Sequence, residues 1–100
     1  MEAGFGWRVC TEADTYIVWL WGELDVATAD EFEQALVEAG GSQVVIDLGA
    51  LTFIDARGLS ALLSARRRII GAGHGFALRG ASGLVRRVFE ITDLESLLDD

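Results

Sequence analysis

Two alternating segments near the amino terminus predict a β-hairpin. Trp7 to Glu12 and Thr15 to Trp21 alternate in the way strands do, and Ala13-Asp14 lies between them as a two-residue turn. The second segment places Tyr16, Val18 and Leu20 on one face and Ile17, Trp19 and Trp21 on the other. Because both faces are apolar, we expect this strand to be covered on both sides or to lie at an interface.

The next segment changes to helical spacing. Thr28 is followed three residues later by Glu31, the spacing of a capping box, so a helix is predicted to begin at Thr28. Gly40-Gly41 is predicted to end it. The apolar stripe of this helix is expected to consist of Phe32, Ala35, Leu36 and Ala39.

The middle of the chain predicts a strand, a loop and a second helix. Val44 to Leu48 is a short apolar run typical of a buried strand, and 49–54 is interpreted as a loop with apolar anchors. Asp55 is placed to cap the helix that follows. The expected apolar positions of that helix are Leu59, Leu62, Leu63 and Ile70.

The carboxyl-terminal third repeats the strand-helix order. The glycine-rich segment 71–75 ends the second helix, Phe76 to Arg79 reads as a strand, and Ser82 is placed to cap a third helix before a last turn from Asp93. Strands and helices therefore alternate as β-β-α-β-α-β-α-α, which predicts an α/β fold with helices packed against a small, mixed, mostly parallel sheet. The inward positions of the third helix are expected to be Leu84, Val85, Val88 and Phe89.

Length and composition indicate one domain, residues 1–100. The chain has 100 residues, 51% of them hydrophobic, which is a globular composition of single-domain size. Its apolar runs are far shorter than the roughly 20 residues that span a bilayer. The amino terminus has no basic segment followed by an apolar one, so we expect a cytoplasmic protein without membrane insertion.

The charges are divided along the chain. Residues 1–55 carry 11 acids and one arginine, residues 56–89 carry seven arginines and no acid, and residues 90–100 carry five acids, for a net charge of −8. An acidic chain of this kind is a poor candidate for nucleic-acid binding. The run Arg66-Arg67-Arg68 is interpreted as a solvated helical face.

Residues that could support catalysis or metal binding are few. The single cysteine, Cys10, and the single histidine, His74, cannot complete a zinc site of the usual ligand number, and Cys10 is expected to pack as a small hydrophobe. The glycines of 71–75 follow a helix and precede a strand, the reverse of a dinucleotide-binding motif. We therefore expect no cofactor, no metal and no enzymatic activity.

Two motifs resemble the STAS domain family, the bacterial anti-sigma factor antagonists. The first is Gly22-Glu23-Leu24-Asp25 leading to Thr28. The second begins at Val45-Ile46-Asp47-Leu48, continues as Leu51-Thr52-Phe53-Ile54-Asp55, and ends with Gly58-Leu59 and Leu62-Leu63. The resemblance extends through Leu84–Phe89 and Ile91-Thr92-Asp93-Leu94 and covers nearly the whole chain.

This resemblance implies a protein that binds an anti-sigma factor, usually a serine kinase of the histidine-kinase-like ATPase type, and so releases a sigma factor. In the family the kinase switches the antagonist off by phosphorylating the Ser or Thr directly after the motif's aspartate. Here that position is Ala56, which has no hydroxyl group.

Three interpretations of Ala56 remain open. The protein is an antagonist that is always competent to bind, or a STAS scaffold or subunit of a signalling or lipid-transport ATPase complex that never used phosphorylation. In the third interpretation Ser60, one helical turn further along, is the substitute phosphoacceptor.

The partner surface implied by the resemblance comprises Asp25, Asp55, Ala56, Arg57, Gly58 and Ser60. Asp25 and Asp55 have an alternative role in turn and helix-cap chemistry. Arg57 either selects an acidic partner or simply solvates the helix end. Trp19 and Trp21 are expected in the core; if they are exposed, they mark a homodimer or partner surface.

Overall fold

The computed structural model describes residues 4–39 and 42–99, and it confirms the α/β class and the predicted element order. One four-stranded sheet has the order β1-β2-β3-β4, in which β1 is antiparallel to β2 and the other pairs are parallel. The elements are β1 (Gly6–Glu12), β2 (Thr15–Leu24), α1 (Ala29–Leu36), β3 (Gln43–Ile54), α2 (Ala56–Gly71), β4 (Gly75–Arg79), α3 (Gly83–Ile91) and a 3₁₀ turn (Glu95–Leu97).

The core lies between one face of the sheet and the helices. Val18 and Leu20 on β2 share this face with Val44, Ile46 and Leu48 on β3, as the strand register requires. Buried side chains from each of the three helices belong to the same cluster. The helix residues in it are Phe32, Leu36, Leu59, Leu62, Ala65, Ile69, Val85 and Phe89.

The third strand is longer than predicted, because 49–54 continues it instead of forming a loop. The alternation is interrupted after Asp47, whose carboxylate accepts a hydrogen bond from the Gly49 amide at 2.9 Å, and the pairing with β2 shifts register there. A second register shift follows between Gly22 and Glu23 of β2, and Leu51 and Ile54 are both buried against the core. A β-bulge of this kind breaks the period of two on which the prediction relied.

The predicted capping box at Thr28 is absent. Thr28 is the N-cap residue of α1, but its side chain makes no cap hydrogen bond. The hydroxyl instead donates to the Glu23 carbonyl and accepts from the Asp25 amide, each at 2.9 Å, because the preceding loop folds back onto it. The predicted stop at Gly40-Gly41 lies outside the described residues.

Two apolar positions predicted to face inward are exposed. Near the end of α2, Ile69 is buried and Ile70 is exposed. In α3, Leu84 is exposed in the first turn. Ala35, Ala39, Leu63 and Val88 are half-buried, and the last three pack against the core cluster. Ser82 is the N-cap residue of α3 as predicted, although its side chain makes no cap hydrogen bond.

The second face of the sheet has no helix packed on it in the described part of the chain. Ile17 and Val45 are buried there by their neighbours in the sheet, and Trp19 lies under the Arg8 guanidinium at 5.6 Å. Trp21 is 42% exposed, which corrects the expectation that it belongs to the core.

Cys10 is exposed on this second face as well, so the expectation that it packs as a small hydrophobe is wrong. Its strand, β1, lies at the edge of the sheet, where no further strand among the described residues covers it. Within 4–39 and 42–99, no helix is long and apolar enough to cross a bilayer.

Candidate partner-binding site

Asp55 joins the two loops that follow β2 and β3. Its Oδ1 accepts a hydrogen bond from the Gly58 amide at 2.8 Å, which confirms its predicted role as the N-cap of α2. Its Oδ2 accepts from the Val26 amide at 3.2 Å, and its own amide donates to the Leu24 carbonyl at 3.2 Å. One carboxylate therefore holds the start of α2 against the end of β2.

Gly58 permits this close approach. The residue is buried, and a Cβ atom built on it would lie 2.1 Å from the Leu24 carbonyl oxygen and 2.8 Å from the Leu24 carbonyl carbon. Both atoms belong to the backbone and cannot rotate away. Gly58 thus shapes the predicted partner surface from below rather than presenting a side chain to it.

Asp25 organises its own turn. Its Oδ1 accepts hydrogen bonds from the Ala27 amide at 2.9 Å and from the Thr28 hydroxyl at 3.3 Å, a pattern typical of an Asx turn. The side chain is half-buried. These contacts agree with the alternative prediction that Asp25 stabilises a turn. Because Asp25 is only half-buried, part of its side chain remains accessible at the surface.

Arg57 connects α2 to α1. Its guanidinium forms ion pairs with Asp30 and with Glu33, the latter at 3.0 Å. The side-chain hydrogen bonds to Glu33 and Asp30, with the charges of both carboxylates, raise the pKa of Arg57 above its ordinary value. Arg57 therefore stays charged, and it is oriented by its two ion pairs with α1, which neither of its two predicted roles included.

The side chains left accessible around this junction form what we call the loop face: Asp25, Val26, Asp55, Ala56, Arg57 and Ser60. Ala56 is the first residue of α2 and is exposed, and Ser60 is exposed one turn later. Val26 is 74% exposed, although it is apolar. Val26 was not among the site residues predicted from the sequence, and the signal that could have identified it is an apolar residue in a turn, outside any strand or helix period.

The loop face combines an apolar centre with negative charge. Val26 and Ala56 belong to the two loops that Asp55 joins, and the carboxylates of Asp25 and Asp55 accompany them. The first turn of α2 contains no acidic residue, so the partial positive charge of the helix start is balanced only by the Asp55 cap.

A cavity of about 350 Å³ adjoins this surface. It lies beside the loop between β2 and α1, and its lining residues are Gly4, Phe5, Glu23, Asp25, Ala27 and Thr28. Among the residues that the structure describes, no group of three or more His, Cys, Asp or Glu side chains is arranged to hold a metal ion.

Removing the Asp55 carboxylate should loosen the junction. Asp55→Ala loses the cap and the Val26 hydrogen bond, and we expect it to lower the free energy of unfolding by about 2 kcal/mol. Asp55→Asn keeps one acceptor oxygen for the cap and should cost about half as much. Urea denaturation followed by circular dichroism measures both, and equal losses for the two variants would contradict the assigned role.

Comparison with known proteins agrees with this architecture. The family described as "Mlab, STAS domain" matches residues 7–99. The chain belongs to the STAS domain family, a class of small α/β domains. Its bacterial relatives include the anti-sigma-B factor antagonist of Staphylococcus epidermidis, which is 31% identical over 91 residues that cover 88% of this chain and 84% of the relative.

Solved structures show the same fold. An anti-sigma factor antagonist from Mycobacterium paratuberculosis is 28% identical and superposes with a TM-score of 0.83 over 95% of this chain and 83% of that one. The anti-sigma factor antagonist SpoIIAA in its unphosphorylated form is 21% identical, with a TM-score of 0.75 over 95% of this chain and 87% of that one. At that identity the second comparison shows the fold alone.

Proposed function

We propose that the protein binds an anti-sigma factor through the loop face and thereby releases a sigma factor in the cytoplasm. Relatives named as anti-sigma factor antagonists, which match nearly the whole chain, support this regulatory role. The expected partner is an anti-sigma factor of the serine-kinase type. The protein contributes binding and no catalysis of its own.

The observation that carries the proposal is the exposed pair of Val26 and Ala56, held together through Asp55. Small apolar groups at the centre of an interface can be desolvated at low cost, while a polar border gives orientation. The Asp55 bonds to the Val26 amide and to the Gly58 amide fix the relative position of the two loops before a partner arrives. Such preorganisation reduces the ordering cost of binding.

Ala56 makes this surface permanently competent for binding in the proposed mechanism. Without a hydroxyl at position 56, no phosphate can be added beside Asp55, and the local charge change of about −2 that phosphorylation would bring does not occur. Ser60 is exposed, but it lies in the second turn of α2, where its backbone is held in the helix. A kinase binds an acceptor residue more readily in an extended segment than in a helix. Ser60 is therefore the weaker phosphoacceptor.

Phosphoryl transfer tests the proposal directly. When the protein is incubated with the anti-sigma kinase of its host and ATP, we expect complex formation and no phosphate by intact-mass spectrometry. Ala56→Ser should gain one phosphate and lose affinity for the kinase, and Ala56→Ser combined with Ser60→Ala should behave identically. If the wild-type protein gains a phosphate and the Ser60→Ala variant does not, the phosphoacceptor is Ser60 and the first interpretation of Ala56 is wrong.

A second candidate function is that of a scaffold or a subunit of a signalling or lipid-transport ATPase complex. The alanine at position 56 favours this function as well, because a STAS surface without a hydroxyl group there is not regulated by a kinase at that position. Failure of the kinase to bind the chain or to phosphorylate Ala56→Ser, together with copurification of a transporter ATPase from the host, would establish this role instead.

A further inference from the structure

The outer edge of β1 is an unusually regular strand edge. β1 pairs with β2 over seven consecutive residue pairs, from Gly6 with Trp21 to Glu12 with Thr15, without a register shift. Residues 8–12 are all exposed, and the strand contains no proline. Proteins commonly protect such edges with bulges, prolines or covering segments because a second strand can pair with them. Within residues 4–39 and 42–99, β1 has no bulge, no proline and no segment paired along its outer edge.

The hairpin geometry shows which backbone groups are available. In a two-residue hairpin the closing pair, here Glu12 and Thr15, exchanges hydrogen bonds, and bonded and non-bonded pairs alternate from there. Trp7, Val9 and Thr11 consequently direct their amide and carbonyl groups away from β2. No other described residue hydrogen-bonds to these groups.

The opposite edge of the sheet provides a contrast. The carboxyl-terminal segment runs alongside β4, where Leu98 forms a parallel bridge with Leu78 and the Asp99 amide donates to the Leu78 carbonyl at 2.7 Å. The β4 edge is therefore partly covered by the chain itself. In the part of the chain that the structure describes, the β1 edge is therefore the one left open to a second strand.

We propose that β1 pairs with β1 of a second copy of this chain, antiparallel and centred on Cys10, so that two four-stranded sheets become one of eight strands. Pairing about this centre places Val9 opposite Thr11 of the second copy, so that residues with outward-directed backbone groups meet. The alternation then makes Cys10 opposite Cys10 a pair without mutual hydrogen bonds, the closer type of antiparallel pair.

Charge complementarity selects this register. With Cys10 at the centre, Arg8 of each copy lies directly opposite Glu12 of the other, so the dimer contains two Arg8–Glu12 pairs. Opposite charges in such cross-strand positions stabilise a sheet, and like charges destabilise it. Residues 6–12 carry one arginine and one glutamate and are neutral, whereas the whole chain carries −8. Two copies thus meet with little mutual repulsion at this edge.

The pairing leaves the loop face accessible. Asp25 follows the end of β2 at Leu24, whereas the Glu12 end of β1 pairs with Thr15 at the start of β2. The dimer would therefore present two loop faces at the same time.

Charge exchange tests the proposed dimer. We expect the wild-type protein to dimerise weakly in sedimentation velocity between about 10 μM and about 1 mM, as suits a small interface. Arg8→Glu or Glu12→Arg alone should raise the dimer Kd by about tenfold or more, because two attractive pairs become repulsive. Arg8→Glu combined with Glu12→Arg has the same composition and should restore the wild-type Kd to within about threefold.

Disulfide crosslinking tests the register of the proposed pairing between the two β1 strands. With copper phenanthroline and O₂ as oxidant, two Cys10 thiols that face each other lose two protons and two electrons and form one S–S bond. Facing residues lie about 4.5 Å apart between Cα atoms, within the range of disulfides. Val9→Cys and Thr11→Cys, each combined with Cys10→Ser, are matched controls that should not crosslink, since their cysteines are offset along the strand.

A protein that stays monomeric at about 1 mM would overturn the proposal. Charge reversals without effect on the Kd, or crosslinking at position 9 or 11 in place of Cys10, would overturn it as well.

Discussion

Replacing Gly58 with alanine is expected to destabilise the protein by about 2–3 kcal/mol. Alanine at an interior helical position normally gains up to about 1 kcal/mol over glycine, so the sign of the effect depends on the tertiary contact. The new Cβ atom would lie 2.1 Å from the Leu24 carbonyl oxygen, and relief requires α2 to move away from β2. That movement stretches the Asp55 hydrogen bonds to Val26 and Gly58 and separates the two loops of the loop face.

The matched control lies at the other end of the same helix. Gly71 is the last residue of α2, and a Cβ atom built on it meets nothing within 4 Å. Gly71→Ala should therefore leave the free energy of unfolding unchanged or raise it by up to about 1 kcal/mol. Urea denaturation followed by circular dichroism measures both variants. A Gly58→Ala protein as stable as Gly71→Ala would show that the close approach does not hold in solution.

The second large effect concerns binding and leaves the fold intact. Ala56→Asp places a carboxylate beside Asp55 and near the loop that contains Asp25, and the nearby cation, Arg57, already pairs with Asp30 and Glu33. The added charge must be desolvated among like charges when the partner binds. We expect the affinity for the anti-sigma factor to fall by about 100-fold, measured by isothermal titration calorimetry.

Ala56→Asn separates charge from size. It has the shape of the aspartate variant without its charge, and we expect it to keep the affinity to within about fivefold. Ala56→Asp should be as stable as the wild type, or more stable by about 0.5 kcal/mol, because a negative charge in the first turn of α2 complements the helix dipole. Equal loss of binding by both variants would indicate a steric contact at position 56, and unchanged binding by both would place the partner elsewhere.

These two predictions separate residues that support the fold from residues that contact the partner at the start of α2. Gly58→Ala acts through the packing of α2 on β2 and should lower both stability and binding. Ala56→Asp, two residues earlier and exposed, should lower binding alone. A variant series that showed the opposite division would contradict the assignment of Ala56 to the surface and Gly58 to the support beneath it.

Local patterns were sufficient for the order of elements and for one contact at the candidate site. Asp55 directly precedes a helical apolar period, and its carboxylate does cap α2. Such a prediction succeeds because a cap is formed by residues within one turn of each other. The same reasoning failed at Thr28, because its hydroxyl is bound by the loop from Glu23 to Asp25, which bends back for reasons that lie outside the helix.

Side-chain roles that depend on two separate elements could not be predicted in this way. Arg57 is paired with two acids of α1 that lie 27 and 24 residues away in sequence. Val26 becomes part of the loop face because its amide donates a hydrogen bond to Asp55, which lies between β3 and α2. Trp21 is exposed because the helices pack on the opposite face of the sheet. Periodicity identifies two apolar faces of a strand, and it does not say which of them the helices cover.

Residue identities and local spacing were enough to establish the α/β class, the succession of strands and helices, and the presence of alanine directly after Asp55, since each depends on residue identity or on contacts within a few residues. The tertiary structure decided which groups meet: the approach of Gly58 to the Leu24 carbonyl, the orientation of Arg57 by α1, and the open edge at β1. These features arise from the packing of segments distant in the chain, and the energies of such contacts depend on distances that no local pattern contains.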